Sequence, residues 1–330
     1  MNENWALNIS TSNNVNTLIG KVQSISVWDE KIFIQYVDEL KVYEYDECKL
    51  HWSSKKAYGK KKALFSKDFC GLPSDTKLEV LDIRNGQKIW EMESYKSRYV
   101  TSKIIDNQIY LLTTSFFKKF NLQTGSEEII DLGSINLNEL DCGEIYGDNK
   151  LLLGYSNKNG NNKVVFFDYQ MNQLVWERNL DKEEYVIFEK LERTKDDIIV
   201  IVKDASSKMD ISILDQRDGS ILLEKDKIDQ FSLNSSTEYL IYSREGVVEL
   251  YNQNERRVIW RKVTGCNSIF LSKSYVYFLV NNEIEVRNKE TGDLISSYGV
   301  EKSISELIHS DDKNILVKNN KEIKSLSFGN

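Results

Sequence analysis

Apolar and polar residues alternate along this chain in short runs, separated by polar turns rich in glycine, asparagine and aspartate. Segments such as KIFIQY (31–36), IIVIVK (198–203) and YVYFLV (275–280) read as strands covered on both faces. LEVLDI (78–83) and IEVRNK (284–289) show the alternation of a strand with one covered face. No window long enough for a helix carries a helical period. The pattern predicts an all-β chain.

The strands recur as a unit. LKVYEYDECKLHW (40–52), LEVLDIRNGQKIW (78–90), VVFFDYQMNQLVW (164–176) and VELYNQNERRVIW (248–260) each hold a strand, a polar turn and a second strand ending in Trp. KKFNLQTGSEEII (118–130), ISILDQRDGSILL (211–223) and IEVRNKETGDLIS (284–296) fit with the Trp replaced, and IKSLSFGN (323–330) is a truncated eighth copy. Successive Trp slots lie 36 to 47 residues apart, which suits a four-stranded propeller blade of about 40 residues. The glycine of RNG, QTG, RDG and ETG supplies the positive φ that closes each turn.

The eighth repeat lacks its fourth strand, and the missing piece stands at the other end of the chain. NWALNIS (4–10) resembles LVWERNL (174–180). Leu78 and Trp90 are 12 residues apart, as are Ile284 and Ser296, and as are Ile323 and Trp5 when the count runs past Asn330. The expected fold is one domain over 1–330, an all-β, eight-bladed β-propeller of four-stranded antiparallel blades. Strand 4–10 completes the last blade against 304–328, and seven blades is the second-ranked count. Trp5, Trp52, Trp90, Trp176 and Trp260 share the repeated slot and are expected to dock blade on blade; Trp28 alone falls elsewhere.

LDIRNGQKIW (81–90), with Asp, a turn ending in Gly, and Trp four residues later, resembles the PQQ-like, or quinoprotein-type, β-propeller repeat. FNLQTGSEEII and VRNKETGDLIS keep the Thr-Gly, and the resemblance covers essentially the whole chain. It implies a propeller of eight blades in a family of quinone-dependent dehydrogenases and non-catalytic scaffolds, the barrel-assembly lipoprotein among them. The dehydrogenases are much longer and carry adjacent cysteines and a Ca²⁺ site. This sequence has no adjacent cysteines, and its nearest Ca²⁺-like loop, NKNGNN (157–162), has no carboxylate. The resemblance therefore points to the non-catalytic branch, with no cofactor and no metal.

Composition narrows the function further. At about 100–200 residues per ordinary domain, 330 residues would make two domains unless the fold is a large closed β form. With 44 Lys and Arg against 51 Asp and Glu, the net charge of −7 argues against nucleic acid as the partner. No apolar run approaches the ~20 residues of a membrane-spanning helix, which argues against membrane insertion. The start, MNENWALNIST, has neither the basic end nor the apolar stretch of a secretory signal and predicts a cytoplasmic protein, or a periplasmic one if a signal was removed. Cys48, Cys70, Cys142 and Cys266 form no CxxC pair. His51 and His309, the two histidines, lie in no nucleophile motif. No enzyme is expected.

Local charge then marks a surface. In a propeller, the connections between blades share one face with the hairpins joining second and third strands. Two successive connections, KKAYGKKK (55–62) and SYKSRY (94–99), are basic and aromatic, and place Lys55, Lys56, Tyr58, Lys60, Lys61, Lys62, Tyr95, Lys96, Arg98 and Tyr99 together. Further round are Glu139 and Asp141, then Asp181, Glu183 and Glu184. Charge runs ordinarily serve solubility; here Tyr and Arg, which dominate interface energies, accompany them. The expected function is a non-enzymatic protein-binding scaffold, monomeric on its own, with a bacterial immunity protein that covers a toxin as one version. The alternatives are a periplasmic barrel-assembly-type scaffold lipoprotein and a small-molecule or sugar-binding propeller using its central channel.

Overall fold

In the computed structural model the described residues form antiparallel strands and their turns, with one 3₁₀ turn among them at Leu137–Glu139. The structure describes residues 2–8, 22–36, 39–55, 61–74, 76–92, 96–133, 135–156, 162–180, 186–194, 197–204, 209–233, 238–243, 246–252, 254–310, 314–319 and 321–327. Strands follow the residue pattern. Second strands are the most deeply buried, as in Lys150–Tyr155, where five of six residues are buried, whereas a third strand such as Glu283–Asn288 buries alternate residues. Outer strands such as Gln173–Leu180 bury only Trp176 and Leu180.

Among the described residues the strands form seven sheets: I (22–55), II (64–92), III (99–129), IV (140–180), V (186–263), VI (268–299), and VII (306–327 with Asn2–Asn8). The first strands lie against each other from sheet II round to sheet V and from VI to VII. The first strand of sheet VI meets Ile221–Leu233 of sheet V, so these strands line the centre of a ring and the meanders run outward. This is a β-propeller. Taking each hydrogen-bonded sheet as one blade, the ring has seven, not the eight separate four-stranded blades expected. Sheet V overturns that count, because it holds seven strands. Its central strand, Ile221–Leu233, is 13 residues long and belongs to two sequence repeats, as outermost strand of one and innermost of the next. The segment EKDKIDQ (224–230) has no glycine or proline to end the strand, so pairing runs on through register shifts at 228–230 and a left-handed Lys227, φ 56°.

Packing follows the same arrangement. Apolar clusters fill each seam between sheets; Ile32, Ile34 and Tyr43 of sheet I meet Leu316 and Ile323 of sheet VII and close the ring. One further cluster, with Ile199, Ile213, Ile228 and Ile241, lies inside sheet V where its two halves fold against each other. In sheet VII the strand Asn2–Asn8 pairs antiparallel with Glu322–Ser327, Leu7 opposite Ile323.

The Trp slot has one geometry at four seams. The Nε1 groups of Trp52, Trp90, Trp176 and Trp260 donate to the carbonyls of Ile83, Leu122, Gln216 and Lys289 in the turn of the next repeat, at 2.7 to 2.8 Å. Each ring lies against the glycine that closes that turn. A β-carbon on Gly86 would stand 2.5 Å from the Trp52 ring, and one on Gly219 2.8 Å from Trp176. Both glycines have φ of +71°, so space and backbone each require glycine. The side chain of Trp5 lies outside the described residues.

Seams without the indole are built differently. Fourth strands that carry Trp are reached through a register shift just before it. Sheet III has no such shift; Ile129 turns outward, 68% exposed, and Ile130 packs inward beside Phe117 and Tyr169. The next turn then holds Asn172, not glycine, at its left-handed position. In sheet V the slot holds Leu223, and the following turn places Arg256 there, φ 51°. Arg256 Nη2 reaches the buried Asp215 carboxylate at 2.8 Å, which also takes Arg217 Nη2 at 2.7 Å and Nε at 3.0 Å. The Arg217 hydrogen bonds, with Arg256, hold Asp215 well below the usual carboxylate range.

Two outcomes test this architecture. Gly219→Ala should destabilise the protein by about 2–4 kcal/mol, from left-handed strain plus overpacking against Trp176. Gly265→Ala, where a β-carbon meets nothing within 4 Å, is the neutral control. Equal denaturation midpoints for the two variants would show that the indole does not need the glycine. A chain lacking residues 1–8 leaves the edge of Glu322–Ser327 open and should melt lower and aggregate; an unchanged melting temperature would show that the ring does not depend on this strand.

Candidate docking face

The connections from sheet to sheet lie on one face of the ring. Between sheets I and II the chain is pinned by Gln35, which is buried in the second strand of sheet I. Its Nε2 donates to the Lys61 carbonyl at 2.7 Å, and its Oε1 accepts from Ala63 N at 3.2 Å. Lys61 thereby projects its Nζ to 4.8 Å from the centre of the Tyr99 ring, and two successive connections become one surface. Tyr99 is held in turn by a 2.8 Å hydrogen bond with Ser102.

Lys55, Lys62 and Lys96, on the same two connections, are exposed, and none has an ion-pair partner among the described residues. On outer strands the arrangement is different, as with Lys118–Glu127 at 3.0 Å, Lys163–Glu177 at 3.2 Å and Lys262–Asp293 at 3.1 Å. Arg98 has another task. Its guanidinium donates to the carbonyls of Leu140 and of Asp141, the latter at 3.1 Å, and fastens sheet III to sheet IV. Asp141 in turn accepts from Ser156 at 3.0 Å, and Glu139 is exposed. Lys56, Tyr58, Lys60, Tyr95, Asp181, Glu183 and Glu184 lie outside the described residues, as does 157–161 of the NKNGNN loop.

Groups that carry chemistry elsewhere have structural neighbours here. His51 Nδ1 is 2.9 Å from Glu44. His309 stands edge-on to Tyr45 and Phe270. Burial pushes the Cys48 thiol up to about 11 and raises Cys70 and Cys142 further from thiolate formation. Among the described residues no three His, Cys, Asp or Glu side chains are grouped to hold a metal, and no helix is long and apolar enough to cross a membrane.

Sequence reasoning missed the Gln35 clamp. A single glutamine within KIFIQY, on a strand otherwise apolar, is its only signal. It also left Trp28 unassigned; the ring is 43% exposed and stacks on Phe65 at 6.4 Å.

No protein-family model matches the chain, and comparison with curated proteins gives no match. Solved structures do match. The computationally designed Ika8 protein superposes with a TM-score of 0.66 at 14% identity, over 93% of this chain and 96% of that one. BamB from Moraxella catarrhalis gives 0.60 at 10% identity, over 99% of each chain. Sqt1 from Saccharomyces cerevisiae gives 0.63 at 13% identity, over 91% of this chain and 93% of that one. At such identities the likeness concerns the fold alone: the chain is a β-propeller.

Proposed function

We propose that this chain is a non-enzymatic protein-binding scaffold, and that its docking face is the basic, tyrosine-bearing sector between sheets I and III. The observation behind this reading is the Lys61–Tyr99 contact, with Lys55, Lys62 and Lys96 on the same two connections, which pair with no carboxylate among the described residues. Such a surface suits an acidic protein segment. The lysines attract it from a distance, within a Debye length of about 8–10 Å, and Tyr99 supplies aromatic area at the centre. The indole-on-glycine seam supports grouping the repeat with PQQ-like propellers. Neutralising a toxin by covering it is one use of such a face; no residue on it selects that use.

Poly-L-glutamate is a suitable probe, because a protein of net charge −7 attracts an acidic polymer only through a local basic surface. The full chain should bind it with an association rate that falls with salt. Lys62→Glu with Lys96→Glu should slow association about tenfold or more, while Tyr99→Ala should mainly speed dissociation. Absence of binding at low salt, or rates untouched by the charge reversal, would overturn the assignment of this face.

A further inference from the structure

Across the ring from the basic sector, a second site opens where the first strands of three neighbouring repeats begin. The walls are 230–232 in sheet V, 267–270 at the start of sheet VI, and 305–307 at the start of sheet VII, around a cavity of about 480 Å³. Its framework is rigid. Gln230 Nε2 donates to the Asn267 carbonyl at 2.6 Å and its Oε1 accepts from Ile269 N at 2.9 Å. Ser232 and Ser268 accept from the backbone N–H groups of Leu271 and Leu307 at 3.1 and 3.2 Å. Each inner strand thus caps the open edge of the next, and each serine hydroxyl keeps its own proton as a donor.

The chemistry of the walls selects the ligand. Hydroxyls come from Ser232 and Ser268, with a third from Ser305, which donates to the Lys318 carbonyl at 3.4 Å, and an amide from Asn267 at an exposed position. Half-buried Phe231 and Phe270, packed on the apolar clusters of sheet V and of the seam between sheets VI and VII, line it as well. Among the described residues no lysine or arginine lines the cavity, and the one charged residue there, Glu306, is paired with Lys318 at 3.3 Å. An anion finds no counter-charge here, and a purely apolar ligand would strand the hydroxyls and the amide without partners. A molecule with hydroxyls on its edges and an apolar C–H face meets both demands. We infer that this cavity is a binding site for a neutral saccharide of one or two rings, a size that suits its volume. The site shares no residue with the docking sector and does not depend on that reading.

Maltose, cellobiose and N,N′-diacetylchitobiose are the probes, read by saturation-transfer NMR and calorimetry on the full chain. At least one should bind saturably with a Kd in the millimolar range or below, at about −4 kcal/mol or better. Asn267→Ala and Glu306→Ala, both at exposed positions, should each weaken that binding about tenfold or more, a hydrogen bond to the ligand being lost. The inference is overturned if none of the three sugars binds saturably up to about 20 mM. It is also overturned if both folded variants bind as the natural chain does, because the sugar would then sit elsewhere.

Discussion

The ring depends on one contact repeated at four seams: an indole laid against a glycine in the turn of the next repeat, with its N–H on a carbonyl of that turn. Each half of the contact constrains the other. The turn must close in the left-handed region, and the ring leaves no room for a β-carbon, so only glycine satisfies both. The indole, for its part, is large enough to seal the seam and has a donor that must find a partner once buried. A Trp in one repeat and a Gly in the next are therefore a single unit spread over two sheets. This is how a chain of short, local hairpins acquires long-range order.

The seams that lack the indole show what happens when that unit is absent. After sheet III, a pairing without register shift sends Ile129 outward, and the facing turn holds Asn172. Within sheet V, Leu223 stands in the slot, Arg256 replaces glycine, and the buried Asp215 carboxylate joins the two turns. There the two repeats also share the Ile221–Leu233 strand. Backbone pairing and a charge-assisted bond do at this seam what a tryptophan does elsewhere.

Much of this architecture is legible in the amino-acid sequence. The repeats, their turns and the shared Trp slot are periodic signals, and periodicity reports local geometry well. The separation of blades is not a local property. Nothing in EKDKIDQ distinguishes a loop from a continuing strand, since its polar residues suit either one. The sheet III register is hidden for a similar reason: a one-residue shift changes every side chain's face without changing composition. Of the candidate docking residues, the adjacency of Lys61 and Tyr99 follows from the repeat alone, whereas the structural work of Arg98 and the clamp by Gln35 need three-dimensional neighbours to be seen. The polar cavity at 230–232, 267–270 and 305–307 has no sequence signature, because its walls come from three separate repeats, a few residues from each.

The docking sector and the cavity are both held in place by these seams, so the state of the indoles reports on the whole account. Hydrogen exchange at the tryptophan Nε1–H groups, followed residue by residue by NMR, measures it directly. Trp52, Trp90, Trp176 and Trp260 should all exchange slowly, as donors buried against a neighbouring turn do, and Trp28, 43% exposed, should exchange fast. Four indoles exchanging at the rate of Trp28 would contradict the claim that indole-on-glycine contacts hold the ring.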